Sequence, residues 1–323
     1  MSEGQVVLIT GASSGIGQAT AEILADAGLR VYGTSRHPDQ ATAKGFTLLP
    51  LDVTDSASIS ACVAAVMEQA GRIDVLINNA GYAGPFGASE ELSPEQLRQV
   101  FETNFFGVVS MTNAVLPNMR RQGSGTIINI GSASGVAATP FSSAYCSSKF
   151  ALEGYSESLR LEVAPLGIRV HLLEPGFYHT KIDQTYAPPV HPLPVYERRR
   201  AQIEMLARIA LMHGRDPRQV GEAILRLIRQ PSTAFRIPLG SDAQSSSLLK
   251  RFVPFRLFEI LEGWMLSGEG VDPSADDETR MKQLGMRGLL VDGTAMDAAQ
   301  PVIALGLLGT GLWMVSRLFH RSR

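Results

Sequence analysis

Net charge is nearly absent from this chain: 29 Lys and Arg stand against 31 Asp and Glu in 323 residues, a formal charge of −2. Nucleic-acid binders carry a basic stripe, and this balance gives no reason to expect nucleic acid as a partner. Cysteine is scarce, with Cys62 and Cys146 alone. Both fall in helical patterns far apart in sequence, so a reducing compartment is expected and a disulfide framework is not. Neither the cysteines nor the six histidines have metal-ligand spacing, and no metal is expected. No secretory leader precedes the first apolar run in MSEGQVVLITG, which makes the cytoplasm the expected location. No internal repeat is visible. The length suits one large α/β domain with extensions.

What is present is a rhythm. Short runs rich in Val, Ile and Leu at 6–9, 30–34, 47–51, 75–78, 126–130, 169–173 and 235–238 read as strands. Most of the first six are continuous rather than alternating, the mark of strands buried on both faces of a parallel sheet. Helical patterns lie between them at about 17–27, 56–70, 94–120, 143–164, 197–212 and 217–229. Alternating elements of this kind predict a doubly wound, Rossmann-like α/β fold with right-handed crossovers. The expected division is a Rossmann-like core domain over 1–266, a polar linker over 267–297 and an apolar helix over 298–323.

After the first strand comes TGASSGIG, residues 10–17, with Gly11, Gly15 and Gly17 where a strand turns into a helix. Glycines there allow a tight turn and close backbone approach, and the helix N-terminus offers N–H groups to a pyrophosphate. A turn without ligand is the alternative; placement between a buried strand and a helix favours the binding turn. Four further motifs come in order: NNAG at 78–81, Ser132 in NIGSASG, Tyr145 and Lys149 in AYCSSKF, and PGFYHT at 175–180. Over about residues 5–240 this set resembles the short-chain dehydrogenase/reductase family, and the overall pattern is similar to its steroid- and retinol-dehydrogenase branch and to many bacterial relatives of unassigned substrate.

The resemblance implies a dinucleotide held by Gly11, Ser13, Ser14, Gly15, Ile16 and Gly17 of the turn, by Asn79, Ala80 and Gly81, and by Pro175, Gly176 and Thr180. It places adenine against Asp52 and Val53, although Asp52 also reads as a helix-capping acid. The end of the second strand selects the cofactor. An acid there would bind a ribose 2′-OH; this chain has Ser35 and then Arg36. An arginine binds a 2′-phosphate bidentately, so NADP(H) is expected, against the alternative that Arg36 is a solvated surface charge.

Tyr145 and Lys149 stand at i and i+4 on a predicted helix, on one face. A phenol titrates near 10, too high for neutral pH, and a neighbouring ammonium favours phenolate. Tyr145 is therefore expected to shift down and act as general acid–base. Ser132 lies thirteen positions earlier at a strand end and is expected to hydrogen-bond the reacting oxygen, ahead of Ser134 and Ser142. The resemblance adds Lys149 as a holder of the nicotinamide ribose and Asn104 as a water-positioning relay. Cys146 points about 100° away round the helix and is expected only to pack.

Residues 177–196, rich in proline, form a predicted lid beyond the strand ends. Its apolar content, with Val136, Pro140 and Phe141, predicts a hydrophobic alcohol or ketone as substrate; a 3-oxoacyl thioester is the alternative. His179 is read as a surface histidine or a substrate contact. The apolar spacing over 248–266 predicts an amphipathic helix beside the pocket, packed on the domain or touching a membrane. Residues 298–316 carry no charge, about a bilayer's length. Yet Arg317, Arg321 and Arg323 favour a cytoplasmic C-terminus, as does the domain before them, which suits an interfacial helix or tail anchor. A buried or oligomer-forming helix, with Gly306, Gly309 and Gly311 packing closely, is the other reading. A homodimer or homotetramer is expected. A sensor or scaffold without turnover is the rival from another class, opposed by the four filled catalytic positions.

Overall fold

The computed structural model describes residues 4–41, 43–230, 232–252 and 254–256. Nine strands occur there: β1 (Val6–Ile9), β2 (Arg30–Ser35), β3 (Thr47–Pro50), β4 (Val75–Asn78), β5 (Gly84–Pro85), β6 (Gly125–Ile130), β7 (Ile168–Pro175), β8 (Tyr186–Ala187) and β9 (Arg236–Leu239). The helices are α1 (Gly15–Asp26), α2 (Ser56–Ala70), α3 (Pro94–Phe101), α4 (Gly107–Gln122), α5 (Ser143–Val163), α6 (Pro194–Met212), α7 (Arg218–Arg229) and α8 (Ser241–Phe252). Seven strands form one parallel sheet in the order β3-β2-β1-β4-β6-β7-β9. This is the expected doubly wound α/β fold.

Alternation along the strands divides the core in two. Leu8, Leu76, Ile127 and Val170 pack on one face against Cys62, Val66, Met111, Val115 and Leu159 of α2, α4 and α5. Val7, Ile77, Ile128 and Leu173 pack on the other against Leu24, Val220 and Ile224 of α1 and α7. A strand with apolar residues on both faces shows no alternation in sequence, which is why these read as unbroken runs. Helix boundaries obey local chemistry. Asp55 caps α2 by accepting from Ala57 N at 2.9 Å. Ser93 and Gln96 form a capping box before α3, with Pro94 in its first turn.

Three expectations are corrected here. The single helix expected over 94–120 is broken by a π-helical turn, Glu102–Phe106, between α3 and α4. Such a single turn is flanked by regular helix on both sides and has no composition of its own, so it leaves little trace in sequence. The lid at 177–196 is not an open loop. It contains a 3₁₀ turn at Ile182–Thr185, then β8, which pairs with β5 in a small parallel sheet, and α6 begins at Pro194. The amphipathic helix expected from 248 starts earlier, at Ser241, and its Leu248 and Phe252, with Phe255 beyond, are exposed rather than packed on the domain. The rest of that helix, the linker over 267–297 and the apolar segment over 298–323 lie outside the described residues. Among the described residues no helix is long and apolar enough to cross a membrane.

Ile77, fully buried at the centre of the sheet, reports on this packing. Ile77→Ala is expected to cost about 3 kcal/mol of unfolding free energy, read from denaturant midpoints at unchanged m-value.

Candidate active site

The site is built where connections from neighbouring strands leave in opposite directions, at β1 and β4. Thr10 closes that point. Its hydroxyl accepts from Asn79 N at 2.9 Å and Ala80 N at 3.0 Å. Asn79 answers across the gap, its Nδ2 donating to Thr10 O and Gly11 O, both at 2.9 Å. The glycine turn is packed too tightly for side chains. A Cβ on Gly11, at φ +70°, would lie 2.9 Å from Ala80 Cα, and one on Gly17 would lie 2.2 Å from Gly11 O. Ser14 caps α1 without a side-chain hydrogen bond, and no acid stands in the first turn. The first N–H groups of α1 are thus left to an anion, and the turn fits a pyrophosphate.

From this turn a cleft of about 1920 Å³ runs along the strand ends. Gly11, Ser13, Ser14, Gly15, Ile16, Arg36, Asp52, Val53, Asn79, Ala80, Gly81, Ser132, Tyr145, Lys149, Pro175, Gly176 and Thr180 all line it. Two expected residues stand behind the wall instead. Gly17 lies under the turn, where it makes room for Gly11 O. Asn104 is fully buried in the π-helical turn. Its Oδ1 accepts from Tyr82 N at 2.8 Å, and its Nδ2 donates to Tyr82 O at 2.9 Å and to Ser148 Oγ at 3.1 Å. The amide therefore ties the segment after NNAG to α5.

Asp52 does not cap α2; Asp55 does. The Asp52 carboxylate accepts from Thr54 N at 2.9 Å and Thr54 Oγ1 at 2.8 Å. The Thr54 backbone bond chiefly holds its carboxyl below the usual range, with the Arg36 charge helping. Arg36 is exposed at the rim beyond Ser35.

Lys149 is buried, and its Nζ donates to Ile130 O at 2.8 Å, which fixes the ammonium at the end of β6. It lies 5.7 Å from the Tyr145 ring centroid. Ser132 hydrogen-bonds the phenol and pulls its pKa down, but burial outweighs that and pushes Tyr145 up to about 12. Lys149 moves the opposite way, lowered to about 8 by burial against the field of Glu153. The expected downward shift of Tyr145 is thus corrected: enclosing both groups penalises both charged forms. Tyr145 stands as a neutral phenol, the form that gives a proton away. Cys146 packs as expected, buried, with Sγ accepting from Thr139 N at 3.4 Å.

The far wall departs in part from expectation. Pro140 lines the cleft, but Val136 and Phe141 do not. Phe141, at φ 62°, packs against Phe86, Tyr196 and Ile203 behind the wall. His179 is exposed and bonds Met212 O through Nδ1 at 3.0 Å. The apolar lining comes from α6, where Ile203, Leu206, Ala207, Ala210 and Leu211 present one helical face, with Phe86 and Tyr186. That spacing is legible in the sequence. The clasp that holds the lid is not. Glu91, fully buried, accepts from Ala88 N at 2.7 Å, from Leu193 N at 2.8 Å and from Arg200. Burial pushes its carboxyl up, and those bonds outweigh it, leaving Glu91 below its ordinary value.

Fold and cleft together define a dinucleotide-binding α/β protein with a Tyr–Lys–Ser cluster at the strand ends. Residues 5–190 match the short chain dehydrogenase family profile, and the chain belongs to that family. It is 42% identical over 242 residues to the 3-ketodihydrosphingosine reductase of Bacteroides thetaiotaomicron, covering 73% of this chain and 88% of the relative. It is 38% identical over 253 residues to the estradiol 17-beta-dehydrogenase 1 of Rattus norvegicus, covering 72% of each. A crystal structure of a short-chain dehydrogenase from Streptomyces avermitilis superposes with a TM-score of 0.71 at 36% identity, covering 84% of this chain and all of that one. The chain is an oxidoreductase of the class that acts on CH–OH groups with a nicotinamide dinucleotide.

Arg200→Met tests the lid clasp. The Glu91 pKa is depressed on folding, so its stabilisation is present above 4.5 and is lost as pH falls through the lower folded value. The variant is expected to be less stable than wild type above 4.5, with the gap closing in acid, as read by denaturant unfolding.

Proposed function

We propose that the protein is an NADP(H)-dependent oxidoreductase that interconverts a hydrophobic ketone or aldehyde and its alcohol. The observation that carries this is the meeting of Tyr145, Ser132 and Lys149 in the cleft that begins at the glycine turn. When bound, the nicotinamide supplies or accepts the hydride. In reduction, the neutral Tyr145 phenol donates its proton to the carbonyl oxygen while Ser132 hydrogen-bonds that oxygen. Lys149, held by Ile130 O, favours the tyrosinate left behind and would hold the nicotinamide ribose. Asn104 holds the backbone of Tyr82 and the Ser148 hydroxyl of α5, and so keeps the helix of Tyr145 and Lys149 in place. Asp52 and Val53 would hold the adenine; Gly15 stands close against Thr180, where a Cβ on Gly15 would lie 3.3 Å from Thr180 Cβ.

Arg36, exposed at the end of β2 beside Ser35, supports NADP(H) over NAD(H). The apolar face of α6 supports a long, lipophilic substrate. The names of two relatives, a 3-ketodihydrosphingosine reductase and an estradiol dehydrogenase, accord with that class. Phe106, Phe150 and Leu161, exposed near and along α5, suit the face of a homo-oligomer.

Tyr145→Phe is expected to lower turnover about 10²–10⁴-fold while NADPH still binds by titration calorimetry. Near-normal reduction of 3-ketodihydrosphingosine, or near-normal oxidation of estradiol, by that variant would reject the assignment. Arg36→Asp is expected to lose roughly 10–100-fold in NADPH affinity, the worth of charged hydrogen bonds, and to gain relative preference for NADH. Equal loss for both cofactors would remove Arg36 from the 2′-phosphate site.

A further inference from the structure

Behind the Tyr145–Lys149 pair lies a second group of charges. Tyr145, Lys149 and Glu153 stand at i, i+4 and i+8 along α5, so one helix face carries phenol, ammonium and carboxylate in series. Glu153 is 8% exposed, and β7 brings Glu174, 1% exposed, immediately before the Pro175–Gly176 turn. From β9, Arg236 Nε donates to Glu153 Oε2 at 2.8 Å and lies 3.8 Å from Glu174 Oε1. Its other arm is committed to Glu157 of α5 at 2.6 Å. From α8, the Ser247 hydroxyl donates to Glu174 Oε2 at 3.4 Å. Past β6 stands Gly131, which has no side chain to offer; a Cβ there would meet Glu153 Oε1 at 3.6 Å.

Two oxygens in this group, Glu153 Oε1 and Glu174 Oε1, are buried with no hydrogen-bond donor among the described residues. One guanidinium is divided among three carboxylates. A buried carboxylate without a donor is costly, and a proton relieves it twice over, by removing a charge and by creating an O–H donor.

We propose that Glu153 and Glu174 share one proton at neutral pH and together act as positioning residues that set the ionisation of Lys149. Burial first, then repulsion from Glu153, pushes Glu174 up to about 7, and burial raises Glu153 as well. The field of Glu153 in turn supports the Lys149 ammonium against the burial that lowers it. As pH rises, the pair releases its proton first. A second negative charge then stands behind Lys149 and keeps it cationic beside Tyr145 to higher pH. The catalytic meaning rests on the acid–base roles given above to Tyr145 and Lys149; the proton sharing does not.

Carboxyl-carbon NMR titration of the full chain, with glutamates labelled and assigned through Glu174→Gln and Glu153→Gln, is expected to show a glutamate midpoint near 7. Equilibrium unfolding reads the same proton. The folded pKa is raised, so the stability tied to Glu174 is full below 4.5 and is lost as pH rises through about 7. Glu174→Gln is expected to flatten that loss. Lysine-selective NMR is expected to place the Lys149 midpoint lower in Glu153→Gln than in wild type, with Glu174→Gln as the second variant. The alkaline limb of NADPH-dependent reduction of 3-ketodihydrosphingosine should move down with it. A structural role alone would reduce turnover and leave that limb where it was. Glutamates that all titrate in the ordinary carboxylate range of the wild-type protein would overturn the shared proton, whether or not a variant folds. A Lys149 midpoint unmoved in both variants would overturn the coupling. Shifted NMR midpoints with an unmoved kinetic limb would instead count against the acid–base roles of Tyr145 and Lys149.

Discussion

The site depends on a reciprocal tie between two strand ends. Thr10 receives the backbone N–H groups of Asn79 and Ala80, and Asn79 returns two hydrogen bonds to the carbonyls of Thr10 and Gly11. These bonds satisfy polar groups that would otherwise be orphaned where β1 and β4 stop. They also fix the glycine turn against the NNAG segment, so two walls of the cleft are tied directly to each other. Asn104 extends that tie by bonding Tyr82 and Ser148, which brings α5 under the same constraint.

On that frame the chemistry is governed by desolvation. Lys149 is buried yet near loss of its proton, and Tyr145 is held as a phenol. A cation alone would have made the tyrosine acidic, but the cation itself is expensive to bury. Fixed partners temper this without reversing it: Ser132 pulls the phenol's pKa down against its burial, and Ile130 O holds the ammonium in place. The lid obeys the same logic, since Glu91 is tolerated without solvent because three donors converge on it.

Much of this is legible in the sequence. Seven runs became the seven strands of the main sheet; the five inner ones are plain because strands buried on both faces cannot hide their composition, while the edge strands β3 and β9 are only partly buried. Tyr145 and Lys149 can be paired from spacing alone, since i and i+4 share a helix face. The glycine turn announces itself by residues that no side chain could replace. What stays hidden depends on contacts far apart in sequence. Glu91 and Arg200 are separated by 109 positions, and neither is unusual in its own neighbourhood. The pairing of β5 with β8 involves two residues a side, too few for a pattern. Phe141 reads as a pocket residue, but its positive φ turns it into the wall. The direction of the Tyr145 shift could not be read from spacing, because it is set by how much the surrounding chain excludes water.

The π-helical turn at Glu102–Phe106 carries a consequence for how the chain tolerates change in length. Such a turn holds one residue more than regular helical winding needs, which rotates the next helix by about 100°. Here it lets α3 pack Val100 against Gly84 of β5 while α4 presents Met111 and Val115 to the sheet. Deleting a single residue there would restore an unbroken helix with good backbone bonding throughout. Yet it would swing either Asn104 or the whole inner stripe of α4 out of alignment. Insertions and deletions at this point are therefore filtered by rotational phase rather than by loss of helix, unlike those in the surface connections elsewhere.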